Sequence, residues 1–411
     1  MPKNTSECSK KYWQNQGHER KMNLRDYFSY LYPKTLRYKA ARSGLLSPGT
    51  PITVTFSVTA ACQSRCKTCN IGLQYRKDPQ RGKKDLKLDE IEMIFKTLGH
   101  VYFFNISGGE PFLRGDLPEI IGLACRYLKP RIIHVPTNAI APERIRDLTI
   151  RSLEIINRYD SSVPFTVKPS IDGVGEIHDE IRGVRGNFKR LEKTISYLKE
   201  IEKDYPNFHL ELGTVISMFN VDHLSEIEDY VHSLGVQSYR NEIAEQRTEF
   251  FNLEDPITPD AETYERLINQ FSAKIKGSIS EKRELAKVTE SLRLVYYDLA
   301  VQIVREQRQV IPCYAGISNV HINYDGEVWP CCVLGYSKPM GFLREQDYDF
   351  QRVWKSGQAS KVRKYIKDGN CACPLANQAY SNILCHTRSL IKVLQNIVQF
   401  GVAQGEGSQH K

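Results

Sequence analysis

The chain has 411 residues, 41% of them hydrophobic and 26% charged, with a formal net charge of +9. That is the make-up of an ordinary soluble globular protein, long enough for one large domain and a smaller one. No apolar run reaches the length of a membrane span and the first residues hold no apolar signal region, so a cytoplasmic protein is expected; basic and aromatic residues do not interleave in any recognisable module, so nucleic-acid binding is not.

Residues 1–50 read as a basic, partly helical lead-in that ends at Ser47-Pro48-Gly49. Through residues 51–250, β-rich runs then alternate with helical patterns. ITVTFSV (52–58) is followed by a Cys-rich loop and a helix over Leu88–Leu98. VYFFNI (101–106) leads to a helix near Asp116–Tyr127, and IIHVPT (132–137) to one near Pro142–Arg158. FTVKPSI (165–171) leads to Asn187–Lys203, HLELGTVI (209–216) to Val221–Leu234, and VQSYRNEI (236–243) closes the series. Such alternation implies βαβ units and a parallel sheet, and six units predict an α/β fold built as a partial (β/α)6 TIM-like barrel. Asp116 and Asn187, each before a helical pattern, are the capping signals.

Residues 251–310 form a helical connector, with Pro259 and Asp260 opening the first of two helices. Residues 311–386 are loop-rich and hold six cysteines. Residues 387–411 begin as an amphipathic helix in which Leu390, Ile391, Leu394, Ile397 and Val398 share a face. Packing on the domain is the main reading of that face. Docking on a membrane surface is the lesser one, because Arg388 and Lys392 flank the stripe.

Eleven cysteines are many for a reducing compartment, and nine fall into two groups, which points to metal rather than packing. Cys8 and Cys125 stand alone and read as incidental. Cys62, Cys66 and Cys69, spaced CxxxCxxC directly after the first strand, can hold three corners of a cubane cluster and leave the fourth iron open. Zinc is the alternative, but a structural zinc ion wants four ligands and no fourth Cys or His lies near in sequence.

This CxxxCxxC loop resembles that of the radical S-adenosylmethionine (radical SAM) superfamily. The resemblance implies a [4Fe–4S] cluster whose open iron binds S-adenosylmethionine. An electron from the cluster then breaks the sulfonium C–S bond, giving methionine and a 5′-deoxyadenosyl radical, with a flavodoxin- or ferredoxin-type protein as electron donor. Thr68 departs from the family, many of whose members have an aromatic residue there. Gly108, Gly109 and Glu110, in SGGEP after the second strand, match the motif that engages the methionine amino group; Glu110 is expected to accept from that ammonium. Asn138 at the end of the third strand, Ser170 and Asp172 at the end of the fourth, Arg182 in HDEIRG, and Val215 and Asn220 at the end of the fifth match its remaining contacts to S-adenosylmethionine. Each is weak alone, and their order along consecutive strand ends carries the resemblance.

Cys313, twelve residues, Gly326, four residues and Cys331 resemble the opening of the SPASM/twitch extensions of that superfamily. Asp325-Gly326 is the turn of a hairpin that would bring the two cysteines together. One auxiliary [4Fe–4S] cluster is expected, held by Cys313, Cys331, Cys371 and Cys373, with Cys385 as the alternative ligand and zinc as the alternative metal. Cys332, adjacent to a ligand, would point away.

Tyr239, Arg240, Glu242, Glu245 and Arg247 on and after the sixth strand are the substrate candidates, with surface ion pairs as the competing reading. A small-molecule substrate is preferred over a peptide, since no leader-binding domain is evident. A non-catalytic iron–sulfur or zinc protein is the third class.

Overall fold

The computed structural model describes residues 24–236, 238–281 and 284–401; Cys8 lies outside them. Helix α1 (Leu24–Ser43) leads into strand β1 (Thr53–Ser57). Five crossovers follow, through α2 (Ile71–Lys77) and α3 (Leu88–Leu98) to β2 (Phe103–Ser107), through α4 (Leu117–Leu123) to β3 (Ile132–Thr137), and through α5 (Pro142–Asp160) to β4 (Phe165–Pro169). Helices α6 (Glu176–Arg182) and α7 (Asn187–Asp204) lead to β5 (Phe208–Ile216), and α8 (Leu224–Ser233) to β6 (Ser238–Ile243). Then come α9 (Ala261–Ser278), α10 (Glu284–Glu306), β7 (Asn319–Ile322), β8 (Glu327–Trp329) and β9 (Gly341–Phe342). Four helices finish the chain: α11 (Phe350–Trp354), α12 (Gly357–Lys367), α13 (Ala376–Cys385) and α14 (Thr387–Gly401).

The strands form one sheet in the order β6-β5-β4-β3-β2-β1-β7-β8-β9, parallel from β6 to β7 and antiparallel beyond. Its parallel strands alternate in character. Val54, Phe56, Phe104, Ile106, Ile133, Val135, Phe165, Val167, Leu210 and Leu212 are buried in the main core. Their neighbours Asn105, His134, Lys168, Gly213 and Arg240, one from each of β2 to β6, line a common cavity. Parallel strands covered on both faces normally read as unbroken apolar runs. A polar inner face here marks a sheet curved around an occupied or solvated interior, which is the partial barrel the alternation predicts.

Helix starts depend on details that the pattern did not resolve. Asp260 caps α9 by accepting from Thr263 N at 2.9 Å. Asp116 does not cap α4, because it is drawn into a bidentate pair with Arg114 at 2.7 and 3.1 Å. Asn187 is the first residue inside α7 rather than its cap, and its amide faces His178 at 3.2 Å.

The hairpin at Asp325-Gly326 forms, with Gly326 at φ +95° and its N–H donating to Asn323 O at 3.0 Å. It also joins the C-terminal extension to the barrel. β7 is buried on both faces and pairs in parallel with β1, Phe56 opposite Ile322, so the C-terminal region continues the main sheet. Four buried residues in a row need two covered faces and a strand partner on each side.

Candidate active site

The loop from 58 to 70 carries the first three cysteines and is held by backbone bonds from outside. Arg65 N and Lys67 N donate to the carbonyls of Arg182 and Ile181 at 3.1 and 2.8 Å, and Asn70 N donates to Phe250 O at 2.9 Å. The SGGEP segment clamps the other side, with Gly109 N donating to Thr59 O and Glu110 N to Ala61 O, both at 2.8 Å. This contact requires glycine: a Cβ at Gly109 would fall 2.1 Å from Ala61 O and 3.1 Å from Cys62 Cβ.

Burial pushes all three thiols up, Cys62 to about 12, and the Cys66 sulfur raises both Cys62 and Cys69 further. Buried thiols this close stay protonated unless a soft cation compensates them, so the donor set suits an iron–sulfur cluster. Arg182 faces Cys66 and Cys62. Its Nη1 pairs with Asp172 at 3.0 Å, and its buried Nε–H has no partner, leaving a donor beside the sulfurs.

The polar residues at the strand ends bind one another. Glu110 Oε1 accepts from Phe112 N (3.1 Å) and Thr137 Oγ1 (2.9 Å), and its Oε2 accepts from Asn138 N (2.7 Å); burial nonetheless pushes the carboxyl up to about 6. Asn138 donates to Ser64 Oγ at 3.0 Å and accepts from Ile140 N at 3.1 Å. Asp172 Oδ1 accepts from Val215 N at 2.9 Å. Asn220 donates to the carbonyls of Asp172 and Val215 at 3.1 and 3.0 Å and accepts from Ser217 N at 2.8 Å. These three bonds tie β2 to β3 and leave one Oε2 acceptor position of Glu110 without a donor from the chain. Asn220, fully buried, likewise holds its own loop. Ser170, Val215, Thr68 and Ser107 do line open space, a cavity of about 220 Å3 within the barrel.

Arg240, Glu242, Glu245 and Arg247 line that cavity too. They are paired inside the barrel: Arg240 with Glu211 at 2.5 Å, Glu242 with Lys168 at 3.4 Å, and Glu245 with Arg247 at 2.9 Å. Tyr239 does not line it; its side chain packs against the main core and its hydroxyl donates to Thr214 Oγ1 at 2.8 Å. Below the ionic layer of His134, Lys168, Arg240 and Glu242, a second cavity of about 410 Å3 reaches the barrel floor at Leu31, Tyr380 and Leu384. Lys168, His134 and Glu211 also belong to this layer, and their alternation with apolar neighbours in β3, β4 and β5 is the sequence signal that marks them.

In the second cysteine group, Cys331 feels the sulfurs of Cys313 and Cys371, and Cys373 those of Cys331 and Cys313. Cys371 feels that of Cys313, so each of the four lies within electrostatic range of another in the set. Cys385 does not join them and is withdrawn as a ligand, since it is buried in a separate apolar cluster with Leu31, Tyr38, Ile52, Tyr314 and Ile317. Cys332 turns away as expected, toward Glu249, His321 and the Arg247 guanidinium, 3.6 Å from its sulfur.

The sequence profile of the radical SAM superfamily matches residues 56–234 and that of the SPASM iron–sulfur cluster-binding domain matches residues 313–374. The chain belongs to the radical SAM superfamily. This radical SAM/SPASM enzyme is 22% identical over 351 residues to the antilisterial bacteriocin subtilosin biosynthesis protein AlbA of Bacillus subtilis, covering 82% of this chain and 68% of that one. It is 24% identical over 341 residues to the AdoMet-dependent heme synthase of Oleidesulfovibrio alaskensis, covering 77% and 78%. Its fold is similar to that of Streptococcus suis SuiB bound to the precursor peptide SuiA, with a TM-score of 0.53 at 16% identity, over 85% of this chain and 74% of the other. Radical SAM and SPASM together mean a [4Fe–4S] cluster, S-adenosylmethionine and auxiliary iron–sulfur binding. No helix among the described residues is long and apolar enough to cross a membrane.

Proposed function

We propose that this radical SAM/SPASM enzyme abstracts hydrogen from a carbon of a peptide substrate. The observation that carries the reading is the polar, charge-paired inner face of the barrel, whose His134, Lys168, Arg240 and Glu242 line both the cavity at the strand ends and a second one toward the floor. These paired charges can be exchanged for contacts with the amide groups of a peptide. The names of several relatives support a peptide over the small molecule preferred from sequence alone: AlbA, the mycofactocin maturase MftC, and SuiB with its precursor.

In this proposal Cys62, Cys66 and Cys69 hold the cluster, and Arg182 keeps a positive charge and a free N–H beside it. When bound, the cluster and S-adenosylmethionine supply reductive C–S cleavage and a 5′-deoxyadenosyl radical. Ser170, Val215 and the backbone of Gly108 and Gly109 border the S-adenosylmethionine site, while Asp172, Asn138, Glu110 and Asn220 position it through the strand ends. Arg240, Glu242, Glu245 and Arg247 orient the substrate and replace bulk water in the chamber with fixed charges. Cys313, Cys331, Cys371 and Cys373 hold one auxiliary [4Fe–4S] cluster, and a flavodoxin- or ferredoxin-type protein delivers electrons.

The test uses short peptides encoded beside the gene, synthesised with deuterium on their carbon atoms. Deuterium is expected to pass into 5′-deoxyadenosine. Label that is absent with every such peptide but present with a deuterated tetrapyrrole would reject the peptide reading in favour of the one that the heme synthase relative suggests.

A further inference from the structure

Twelve large hydrophobic side chains are exposed among the described residues, and seven of them fall on two segments: Tyr32, Leu36, Leu45 and Leu46 on α1 and the turn after it, and Ile391, Leu394 and Val398 on α14. The segments are neighbours. Lys39 Nζ on α1 donates to Thr387 Oγ1 at the start of α14 at 3.3 Å, and α13, which runs into α14, packs against α1.

Helix α14 packs on α10 and α13 and buries Ser389 and Val393. Ile391, Leu394 and Val398 form a stripe on the side away from them, 49%, 51% and 72% exposed, at spacings of three and four residues. Arg388 and Lys392 run along one flank, and the helix contains no Asp or Glu. Lys39 and Arg388 both bear on the His386 ring at the junction. Lys34 and Arg37 add to the positive charge of α1.

We propose that α1 and α14 dock the enzyme on an anionic membrane surface. This inference is independent of the substrate. An apolar stripe bordered by cations along a helix is the pattern of a segment that lies in the lipid interface without crossing it, and anionic headgroups answer the basic flank, where Asp298 on α10 is the acid that faces Lys392. A second copy of the chain answers it poorly, because a two-fold contact would set Lys39, Arg388 and Lys392 against like charges. Ile391, Leu394 and Val398 stand out from a convex helix face, which disfavours capture of a single peptide.

The test is flotation of the reconstituted full chain with vesicles of equimolar phosphatidylglycerol and phosphatidylcholine, and with vesicles of phosphatidylcholine alone. Binding is expected to the anionic vesicles, at least about tenfold weaker to the neutral ones, and weakened by salt. Two variants, Leu394→Glu/Val398→Glu and Arg388→Gln/Lys392→Gln, should each lose about tenfold in vesicle binding while keeping the wild-type circular dichroism spectrum and 5′-deoxyadenosine formation. Equal binding to both vesicles, no binding, or variants that bind as well as wild type would overturn the proposal. A wild-type dimer by light scattering that the Glu variant splits would also overturn it, assigning the face to a second copy.

Discussion

Replacing Gly109 by alanine would put a methyl 2.1 Å from the Ala61 carbonyl oxygen, so the cysteine loop would have to move. Gly109→Ala is expected to lose the iron held by the first cysteine group and keep that of the second, falling from about eight to about four iron atoms per chain by metal analysis. The Asp172–Arg182 pair is buried, and removing the acid strands a guanidinium. Asp172→Ala should therefore cost about 3–5 kcal/mol in anaerobic urea unfolding, while a loss below about 1 kcal/mol would mean the arginine finds water. The cysteine spacing made the metal loop legible because three thiols on one loop need no tertiary information. What Glu110, Asn138, Asp172 and Asn220 do was not legible, since whether a polar side chain meets a ligand or a neighbouring strand end depends on chain brought in from tens of residues away. Cys385 illustrates the same limit: its spacing from Cys373 suits a ligand, but α13 turns it into an apolar cluster.

At the scale of elements, the inner ionic layer couples β3, β4, β5 and β6, and its acid limb is measurable. Burial would raise the Glu211 carboxyl, but Arg240 and Lys168 overcome it and hold it near about 2. A folded value below the unfolded one means stabilisation that is complete above about pH 4.5 and lost as the pH falls toward 2, at most about 3 kcal/mol. The advantage of the wild type over Glu211→Gln in urea melts should shrink as pH falls through that window; a gap that stays constant would contradict the assignment. In the C-terminal region, Cys373→Ser should lose the auxiliary iron, about four atoms per chain, whereas Cys385→Ser should lose none. The six βα units were readable because apolar periodicity switches between two and 3.6 at each boundary. The attachment of β7 to β1 was not, because a four-residue strand gives too short a pattern to name its partner.

The whole molecule combines a curved parallel sheet with a cysteine loop at the C-terminal end of β1, a second cysteine group carried on the sheet's far extension, and a polar inner face that borders two cavities in the barrel. Family membership follows from the sequence profiles over residues 56–234 and 313–374, and the substrate rests on the chamber and on what relatives are named for. Radical formation is tested by anaerobic reconstitution, reduction and addition of S-adenosylmethionine, with 5′-deoxyadenosine quantified beside a Cys66→Ala control. 5′-Deoxyadenosine is expected from the wild type and none from the control. An iron-loaded wild type that makes none, with or without candidate peptides, would contradict radical formation.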